Sequence, residues 1–272
     1  LITVNNRYSR KTAIRNAELL IRQRIDVVLE FQTYESIAPL IASRFHEAAI
    51  PVIAIEIPHP GAVFFGIDNF RAGQLGGRAL GQWSKQHWEN GPEELMLIEE
   101  GIAGPLPRSR VTGMLLGLKE VLPDPENIPV TVYDRGGTFS RSLDLVRAHL
   151  RKSPPRRTLV AATDDPTALG ALRAFEECGR AQLCAIMGQN GIPEAREELR
   201  RPGTRLVGTV AYFPERYGDK LMSVVRSILD GRPVAPACYI RHELLTPANV
   251  NRIYPLDPDA RLVPVAPRRR SV

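Results

Sequence analysis

Cysteine is scarce in this chain: its 272 residues include three, Cys178, Cys184 and Cys238. No two of them have the CxxC spacing of zinc sites or redox-active dithiols, and an odd number cannot form a complete set of disulfides within one chain. The cysteines therefore indicate neither a metal centre nor a disulfide framework. They do not identify a cellular compartment.

Long apolar runs are absent as well. No stretch approaches the ~20 consecutive apolar residues that a membrane-spanning helix requires, and no secretory signal peptide is visible. The sequence begins with Leu1 and opens directly on an apolar pattern at 1–4, which is typical of a strand. We expect the original start of the protein to be missing, so the lack of a targeting signal excludes nothing.

Signatures of the common enzyme classes are missing too. The chain has no HExxH, GxSxG or cysteine–histidine motif, and no GxGxxG follows a strand pattern. The glycine-rich loop at 101–110 lacks the Lys-Ser/Thr pair that closes a phosphate-binding loop, although it offers Arg108 and Arg110. Asp164 and Asp165 form one acidic pair, without further acidic residues at metal-ligand spacing. We predict a protein that is not an enzyme and that holds neither a cofactor nor a metal.

Positive charge exceeds negative charge, with a net charge of +6. Such a surplus is compatible with nucleic-acid binding, but the basic residues are scattered over predicted helix faces. The dense basic run at 268–270 lies at the C-terminus, where it is typical of a frayed tail. Aromatic residues do not alternate with basic ones, as they do in single-strand binders. We predict no binding of nucleic acid by this portion of the protein.

Strand and helix patterns alternate along most of the chain. Apolar strand patterns cover 1–4, 26–31, 51–57, 63–67, 94–99, 129–133, 159–162, 182–187 and 206–211. Amphipathic helix patterns lie between them, and the segment after Gly231 has no such rhythm. Repeated βα units predict an α/β protein with parallel sheets and right-handed crossovers. Two stacked α/β lobes fit this many strands better than the alternative, a (β/α)₈ barrel, because eight even repeats are not visible.

The segment 159–171 carries the clearest strand-to-helix transition. A buried-strand pattern at 159–162 is followed by Asp164, Asp165 and Pro166. We expect Asp165 to cap the next helix, with Pro166 at its first position. Ligands bind outside the carboxyl ends of strands in open parallel sheets. Asp164 is therefore expected at the mouth of a cleft, where its carboxylate accepts hydroxyl groups.

Six motifs, in order along the chain, resemble one known family. They are GIDNFRAGQLGGRAL (66–80), GIAG followed by RVTG (101–104 and 110–113), DDPTALGAL (164–172), GQNGIPEA (188–195), GTVAYFPERYGDKL (208–221) and LLTPANV (244–250). On these motifs the chain resembles the type I periplasmic binding proteins of sugar ABC transporters, the ribose-binding-like group. The resemblance covers nearly the whole chain.

This resemblance implies an α/β fold of two Rossmann-like lobes with parallel sheets, joined by a three-segment hinge. Carried over, the N-terminal lobe comprises 1–66 and 213–236, the C-terminal lobe comprises 67–212 and 237–255, and 256–272 form a C-terminal tail. Residue 1 corresponds to the family's second strand. The family's first strand and helix in the N-terminal lobe thus have no counterpart in this sequence.

The resemblance also implies a set of ligand-binding residues. The positions that match are Glu56, Arg110, Asp164, Asn190 and Tyr212, with Phe31 and Gln32 as additions at the end of another strand. Several depart from the family pattern. Glu56-Ile57 replaces a common Asp-Arg, Asp164 replaces Asn, Asn190 replaces Asp and Tyr212 replaces Gln. The implied site remains polar, but its charges are placed differently.

The function implied is that of a periplasmic or extracytoplasmic receptor for a sugar or polyol. Its partners are then that small ligand and the membrane permease of an ABC importer. One alternative is the effector-binding core of a lactose-repressor-like transcriptional regulator, whose family shares the fold. Another is an α/β enzyme that uses Asp164 or Asp165. A signal peptide or a helix-turn-helix upstream of Leu1 would distinguish the first two.

Overall fold

Two sheets, one of four strands and one of six, organise the computed structural model, which describes residues 1–122, 125–134 and 137–256. The strands are β1 (Val28–Glu30), β2 (Val52–Ile55), β3 (Val63–Ile67), β4 (Glu94–Glu99), β5 (Val130–Asp134), β6 (Thr158–Ala162), β7 (Cys184–Asn190), β8 (Leu206–Ala211), β9 (Ala237–Ile240) and β10 (Glu243–Leu245). The helices are α1 (Arg10–Arg22), α2 (Ala38–Glu47), α3 (Asn69–His87), α4 (Pro105–Lys119), α5 (Phe139–Lys152), α6 (Asp165–Glu177), α7 (Pro193–Leu199), α8 (Tyr217–Leu229) and α9 (Val250–Ile253).

The smaller sheet has the order β1-β2-β3-β9, and all of its pairs are parallel. Helices α1 and α2 pack on one face of this sheet through an apolar cluster that includes Ala17, Phe45 and Val52. Helix α8 covers the other face, where Leu221 contacts the buried Phe65 cluster. Burial on both faces explains the continuous apolar runs of β2 and β3.

The larger sheet has the order β10-β8-β7-β6-β4-β5 and is parallel except for β10, which runs antiparallel to β8. Its two faces carry separate apolar clusters, one around Phe175 and one around Met114. Helices α3 and α4 lie against each other on one face. A Cβ atom at Gly73 or Gly77 would collide with the backbone of Arg110 or Met114, so these glycines permit the close packing. This packing fixes the position of Arg110.

The chain passes between the two sheets at three places: after β3, after β8 and between β9 and β10. A small apolar cluster lies at these crossings and includes Ile67, Val210 and Tyr212. The predicted α/β fold of two lobes joined by three segments is therefore confirmed, and the barrel alternative is wrong because each sheet is open-edged.

Two local predictions differ from the structure, and a third lies outside the described residues. Residues 1–4 form no strand, because they make no ladder hydrogen bonds within the described part of the chain. Residues 1–8 instead line one side of a groove of about 880 Å³ next to β1. Strand β9 pairs with β3, so residues 237–240 lie in the smaller sheet although we predicted them in the C-terminal lobe. The predicted tail falls outside the described residues from 257 onward.

The described ranges contain neither a candidate membrane span nor a candidate metal cluster. No helix there combines the length and the apolar character needed to span a bilayer. No group of three or more His, Cys, Asp or Glu side chains in the same ranges is arranged to hold a metal ion.

Candidate functional site

Arg110 is the centre of a polar cluster at the junction of the lobes. It lies in the second turn of α4 and is 9% exposed. Its Nε donates to Oδ1 of Asn69 at 2.6 Å, and its Nη1 donates to the carbonyl oxygen of Thr163 at 3.1 Å. The guanidinium carbon is 5.0 Å from the ring centroid of Tyr212. Hydrogen bonds and ring contact together hold this side chain in one place.

Tyr212, which follows β8, is also held from several sides. Its hydroxyl donates to Oε1 of Gln189 at 2.8 Å, and its backbone N–H donates to the carbonyl oxygen of Asn190 at 3.3 Å. Burial raises the pKa of Tyr212 above its ordinary value, so the phenol stays protonated at neutral pH. The ring therefore acts as a neutral surface beneath Arg110.

Asp164 follows β6 and is the N-cap of α6. Its Oδ1 accepts the backbone N–H of Thr167 at 2.8 Å from an extended backbone conformation with φ −152°. The side chain is 8% exposed. One carboxylate oxygen thus caps the helix, as Asp commonly does, and the second oxygen makes no hydrogen bond among the described residues.

The expectation that Asp165 caps α6 is wrong. Asp165 is the first helical residue, and its carboxyl group is fully buried inside the C-terminal lobe. It accepts from the Thr209 hydroxyl at 2.6 Å and from the backbone N–H of Ile192 at 2.9 Å. Burial raises the pKa of Asp165 to about 7. The carboxyl group connects β8 and the turn after β7 with the start of α6.

Asn190 ends β7 in an unusual conformation. Its φ is +106°, outside the regions that most residues adopt. The following Gly191 donates its N–H to Oγ1 of Thr209 at 3.2 Å, so the same buried Asp165–Thr209 pair fixes this turn. Oδ1 of Asn190 is buried and has no hydrogen-bond partner among the described residues. A buried amide oxygen without a partner costs stability, which is typical of a site where a ligand supplies the donor.

Glu56 comes from the N-terminal lobe, directly after β2. Its Oε1 accepts the Tyr217 hydroxyl at 2.7 Å, while Oε2 is buried without a partner in the described chain. The backbone of Glu56 is left-handed, with φ +62°. Burial is the main influence on Glu56 and raises its pKa above the ordinary value. The pKa is lowered in part by the hydrogen bond from Tyr217, the charge of Arg110 and the backbone N–H of Ile67.

Arg110 lies on α4 of the other lobe, yet it is near enough to Glu56 for its charge to lower the pKa of that carboxyl group. Of the seven residues predicted for the site, Arg110 contacts the Tyr212 ring, and Asn190 contacts Tyr212 through its backbone. Glu56 and Asp164 lie near enough for their charges to raise the pKa of Tyr212.

Phe31 and Gln32 are not joined to this cluster by any hydrogen bond among the described residues. Phe31 is 54% exposed, and its carbonyl oxygen accepts from Asn6. Gln32 is buried and its Oε1 accepts the backbone N–H of Tyr34 at 3.0 Å, while its Nε2 has no partner in the described ranges. Their part in a ligand site stays a prediction.

Sequence reasoning missed Asn69, Gln189, Tyr217 and Glu100. Asn69 looks like an ordinary helix start next to its capping Asp68, and Gln189 lies in a strand. Glu100 follows β4. Burial and the neighbouring Asp164 raise the pKa of Glu100, whereas Arg110 and Arg141 lower it. Arg108, the other arginine of the loop at 101–110, pairs with Glu99 at 3.1 Å and Asp134 at 2.8 Å.

The lobes also approach each other through Gly104 and Glu35. Gly104 directly precedes α4 of the C-terminal lobe and has φ +88°, and Glu35 precedes α2 of the N-terminal lobe. A Cβ atom on Gly104 would lie 2.6 Å from Cγ of Glu35. Glycine is therefore required here for the close approach as well as for the backbone conformation.

Comparison with known proteins agrees with this architecture. A family model described as the periplasmic binding protein domain matches residues 1–233. The chain belongs to this family, as its motifs predicted. The ribose import binding protein RbsB of Salmonella typhimurium is 30% identical over 102 residues, which is 38% of this chain and 32% of that protein. The chain thus spans about a third of the length of the curated relatives it matches.

Solved structures share the fold at low identity. An ABC transporter solute-binding protein from Mycobacterium smegmatis with bound glycerol has a TM-score of 0.78 at 21% identity, over 92% of this chain and 84% of its own. One from Actinobacillus succinogenes with bound D-allose has a TM-score of 0.75 at 18% identity, over 92% and 86%. One from Bacillus halodurans with bound myo-inositol has a TM-score of 0.75 at 21% identity, over 90% and 83%.

Proposed function

We propose that this protein is a solute-binding receptor that holds a sugar or polyol between its lobes and passes it unchanged to an ABC importer. The proposal places it outside the cytoplasm, with a membrane permease as partner and without catalysis. The names of its relatives support this class, since they include a ribose import protein and binders of D-allose, myo-inositol and glycerol.

The observation that carries the proposal is a pair of buried acceptors on opposite lobes. Glu56 Oε2 belongs to the N-terminal lobe and Asn190 Oδ1 to the C-terminal lobe, and neither has a partner among the described residues. Hydroxyl groups of a sugar donate to such oxygens. The Arg110 guanidinium lies over the Tyr212 ring, and its remaining N–H groups add donors for the oxygens of a sugar.

The mechanism requires only differential affinity. A ligand that contacts both lobes binds the closed form more tightly than the open form, so it shifts the population toward closure. The three crossings between the sheets provide the segments that bend. The closed form is then the state that a permease recognises.

A thermal-shift screen with D-ribose, D-allose, myo-inositol, allitol and glycerol tests this proposal, followed by titration calorimetry of each hit. We expect at least one compound to stabilise the protein saturably and to be recovered chemically intact after denaturation. Stabilisation by none of these and by no wider panel of monosaccharides and cyclitols would overturn the proposal. Conversion of a bound compound would point to the enzyme alternative.

A further inference from the structure

The side chain of Asn190 takes its position from the backbone that carries it. Its Oδ1 is buried and is not tied by a hydrogen bond to any group among the described residues. The conformation of the backbone at residue 190 therefore sets where this acceptor lies. That conformation has φ +106°, which a residue other than glycine keeps only where the surrounding groups hold it.

Thr209, on β8, is the side chain that holds this turn. Its Oγ1 accepts the backbone N–H of Gly191 at 3.2 Å, one residue after Asn190, and its hydroxyl group donates to Oδ1 of Asp165 at 2.6 Å. A threonine hydroxyl group has one hydrogen and two lone pairs. Because the hydrogen is directed to Asp165, a lone pair of Oγ1 is left for Gly191.

The surroundings of the Asp165 carboxyl group are shaped for this arrangement. A Cβ atom at Gly188 of β7 would lie 2.3 Å from Oδ1 of Asp165, so glycine at this position makes room for the carboxyl group. Its other oxygen, Oδ2, accepts the backbone N–H of Ile192 at 2.9 Å. The Asp165–Thr209 pair thus binds two successive backbone N–H groups directly after Asn190.

From this geometry we infer that Thr209 is a positioning residue for ligand binding: its hydroxyl group, oriented by Asp165, places the Asn190 amide where a hydroxyl group of a sugar or polyol donates to it. Thr209 is fully buried, so it acts on the ligand through the turn. The inference rests on the proposed function, because it requires that Asn190 contacts the ligand.

Calorimetry on Thr209→Val and Thr209→Ser tests this role, with whichever of D-ribose, D-allose, myo-inositol, allitol and glycerol binds the original protein most tightly. Valine keeps the size of threonine but leaves the Gly191 N–H without its acceptor. We expect Thr209→Val to bind at least about tenfold more weakly. Thr209→Ser keeps the hydroxyl group and should bind within about threefold of the original protein. Thr209→Ala takes the place of Thr209→Val if that variant does not fold.

Thr158→Val is the matched control for the loss of a buried threonine hydroxyl group. Thr158 is 2% exposed and is the first residue of β6, at the end of the strand opposite to Asp164. Its hydroxyl group donates to Oε2 of Glu94 at 3.3 Å. The substitution should lower the free energy of unfolding, as Thr209→Val does, but leave ligand affinity within about twofold of the original value.

A double variant shows whether Thr209 acts through Asn190. Asn190→Gly removes the amide group and accepts φ +106° without a steric penalty. We expect this single change to weaken binding by about tenfold, and the addition of Thr209→Val to weaken it further by less than about threefold. A general structural role of Thr209 would reduce affinity by the same factor in both backgrounds.

The possible results separate the positioning role from the proposed function. Unchanged affinity in Thr209→Val, an equal loss in Thr209→Ser, or the full loss again in the Asn190→Gly background overturns the positioning role while the receptor function stands. An equal loss in Thr158→Val does the same, because the effect is then one of stability. Binding of no sugar or polyol by the original protein overturns the proposed function, and the positioning role with it.

Discussion

The side chains of Arg110 and Asn69 are joined by a hydrogen bond of 2.6 Å between Nε and Oδ1. Asn69 is the first residue of α3, directly after the crossing that leaves β3, whereas Arg110 lies on α4. The central cation of the site is thus attached to one of the segments that connect the lobes. Under the proposed function, a ligand that contacts Arg110 acts on a side chain that is hydrogen-bonded next to a crossing, so binding is expected to favour closure.

Arg110→Ala is expected to abolish stabilisation by the cognate sugar. The substitution removes the ring contact with Tyr212 and leaves Oδ1 of Asn69 and the Thr163 carbonyl without their donor. The ligand-free protein should still fold, with a free energy of unfolding lower by about 1–3 kcal/mol. Thermal shift and urea unfolding, each with and without ligand, measure the two effects separately.

Arg108→Ala is the control for this prediction. Arg108 lies two residues earlier on α4 and is half-exposed, with Glu99 and Asp134 as partners. Because Arg108 is half-exposed, loss of its two pairs is expected to cost about 1 kcal/mol. We expect normal ligand stabilisation in this variant. If Arg110→Ala keeps the full ligand-induced shift, Arg110 is a structural residue and the assignment fails.

Asp164 caps α6 with one carboxylate oxygen and, in the proposed site, offers the other to the ligand. A pair of substitutions separates these two roles. Asp164→Ser retains an oxygen that can cap α6 through the Thr167 N–H, whereas Asp164→Ala removes the cap. We expect the alanine variant to lose about 1 kcal/mol of unfolding free energy and the serine variant to lose little. Both should bind the sugar at least about tenfold more weakly, because both lack the second carboxylate oxygen. Undiminished affinity in Asp164→Ser, measured by calorimetry, would leave Asp164 with a capping role alone.

The pattern of apolar runs was sufficient to predict most of the fold. Strands β3, β4 and β8 have the predicted bounds, because each is buried on both faces and is flanked by clear turn residues. Strands β9 and β10 were missed. They are short and half-buried, and neither is followed by a long helix. Their place is determined by pairing with β3 and β8, which are distant in the sequence.

The site could be predicted less completely than the fold. Asp164 and Asp165 are equally good capping residues by type, and the helix begins one residue earlier than expected. What decides between them is the burial of Asp165 against Thr209, a contact across 44 positions. Asn69 and Tyr217 were missed for the same reason. Their chemistry comes from a partner on another element, Arg110 and Glu56 respectively.

Closure of the lobes is expected to depend on Gly104. Gly104→Ala places a Cβ atom against Glu35 across the gap between the lobes and strains a backbone with φ +88°. We expect ligand affinity to fall by about tenfold, with a smaller change in the stability of the free protein. Calorimetry and small-angle scattering with saturating ligand would report the loss of affinity and of the compact form.

Gly61→Ala controls for backbone strain alone, since Gly61 has φ +73° and open space around it. It should leave ligand affinity unchanged. The double variant Gly104→Ala with Glu35→Ala removes Cγ of Glu35, the nearest colliding atom, and leaves its Cβ at 2.9 Å. It is therefore expected to recover part of the affinity. Equal losses in Gly61→Ala and Gly104→Ala, or no recovery in the double variant, would contradict a steric role at the gap.

Asp165 is expected to make stability dependent on pH. Its pKa in the folded protein is about 7, raised by burial from 3.8. Between pH ~4 and ~7 the folded state therefore keeps a proton that the unfolded state has released, so the contribution of Asp165 to the free energy of unfolding falls as pH rises through this window.

Asp165→Asn mimics the protonated group, because its Nδ2 can donate to Thr209 while its Oδ1 accepts from Ile192. We expect the free energy of unfolding of the original protein, relative to that of this variant, to fall by up to about 1.4 kcal/mol per pH unit from pH 5 to 7. Urea unfolding without ligand measures both. Glu126→Gln should give no such trend, because the Glu126 side chain is 78% exposed. Parallel pH profiles for the original protein and Asp165→Asn would mean that the buried carboxyl group is ionised across this range, with its charge balanced by the donors of Thr209 and Ile192.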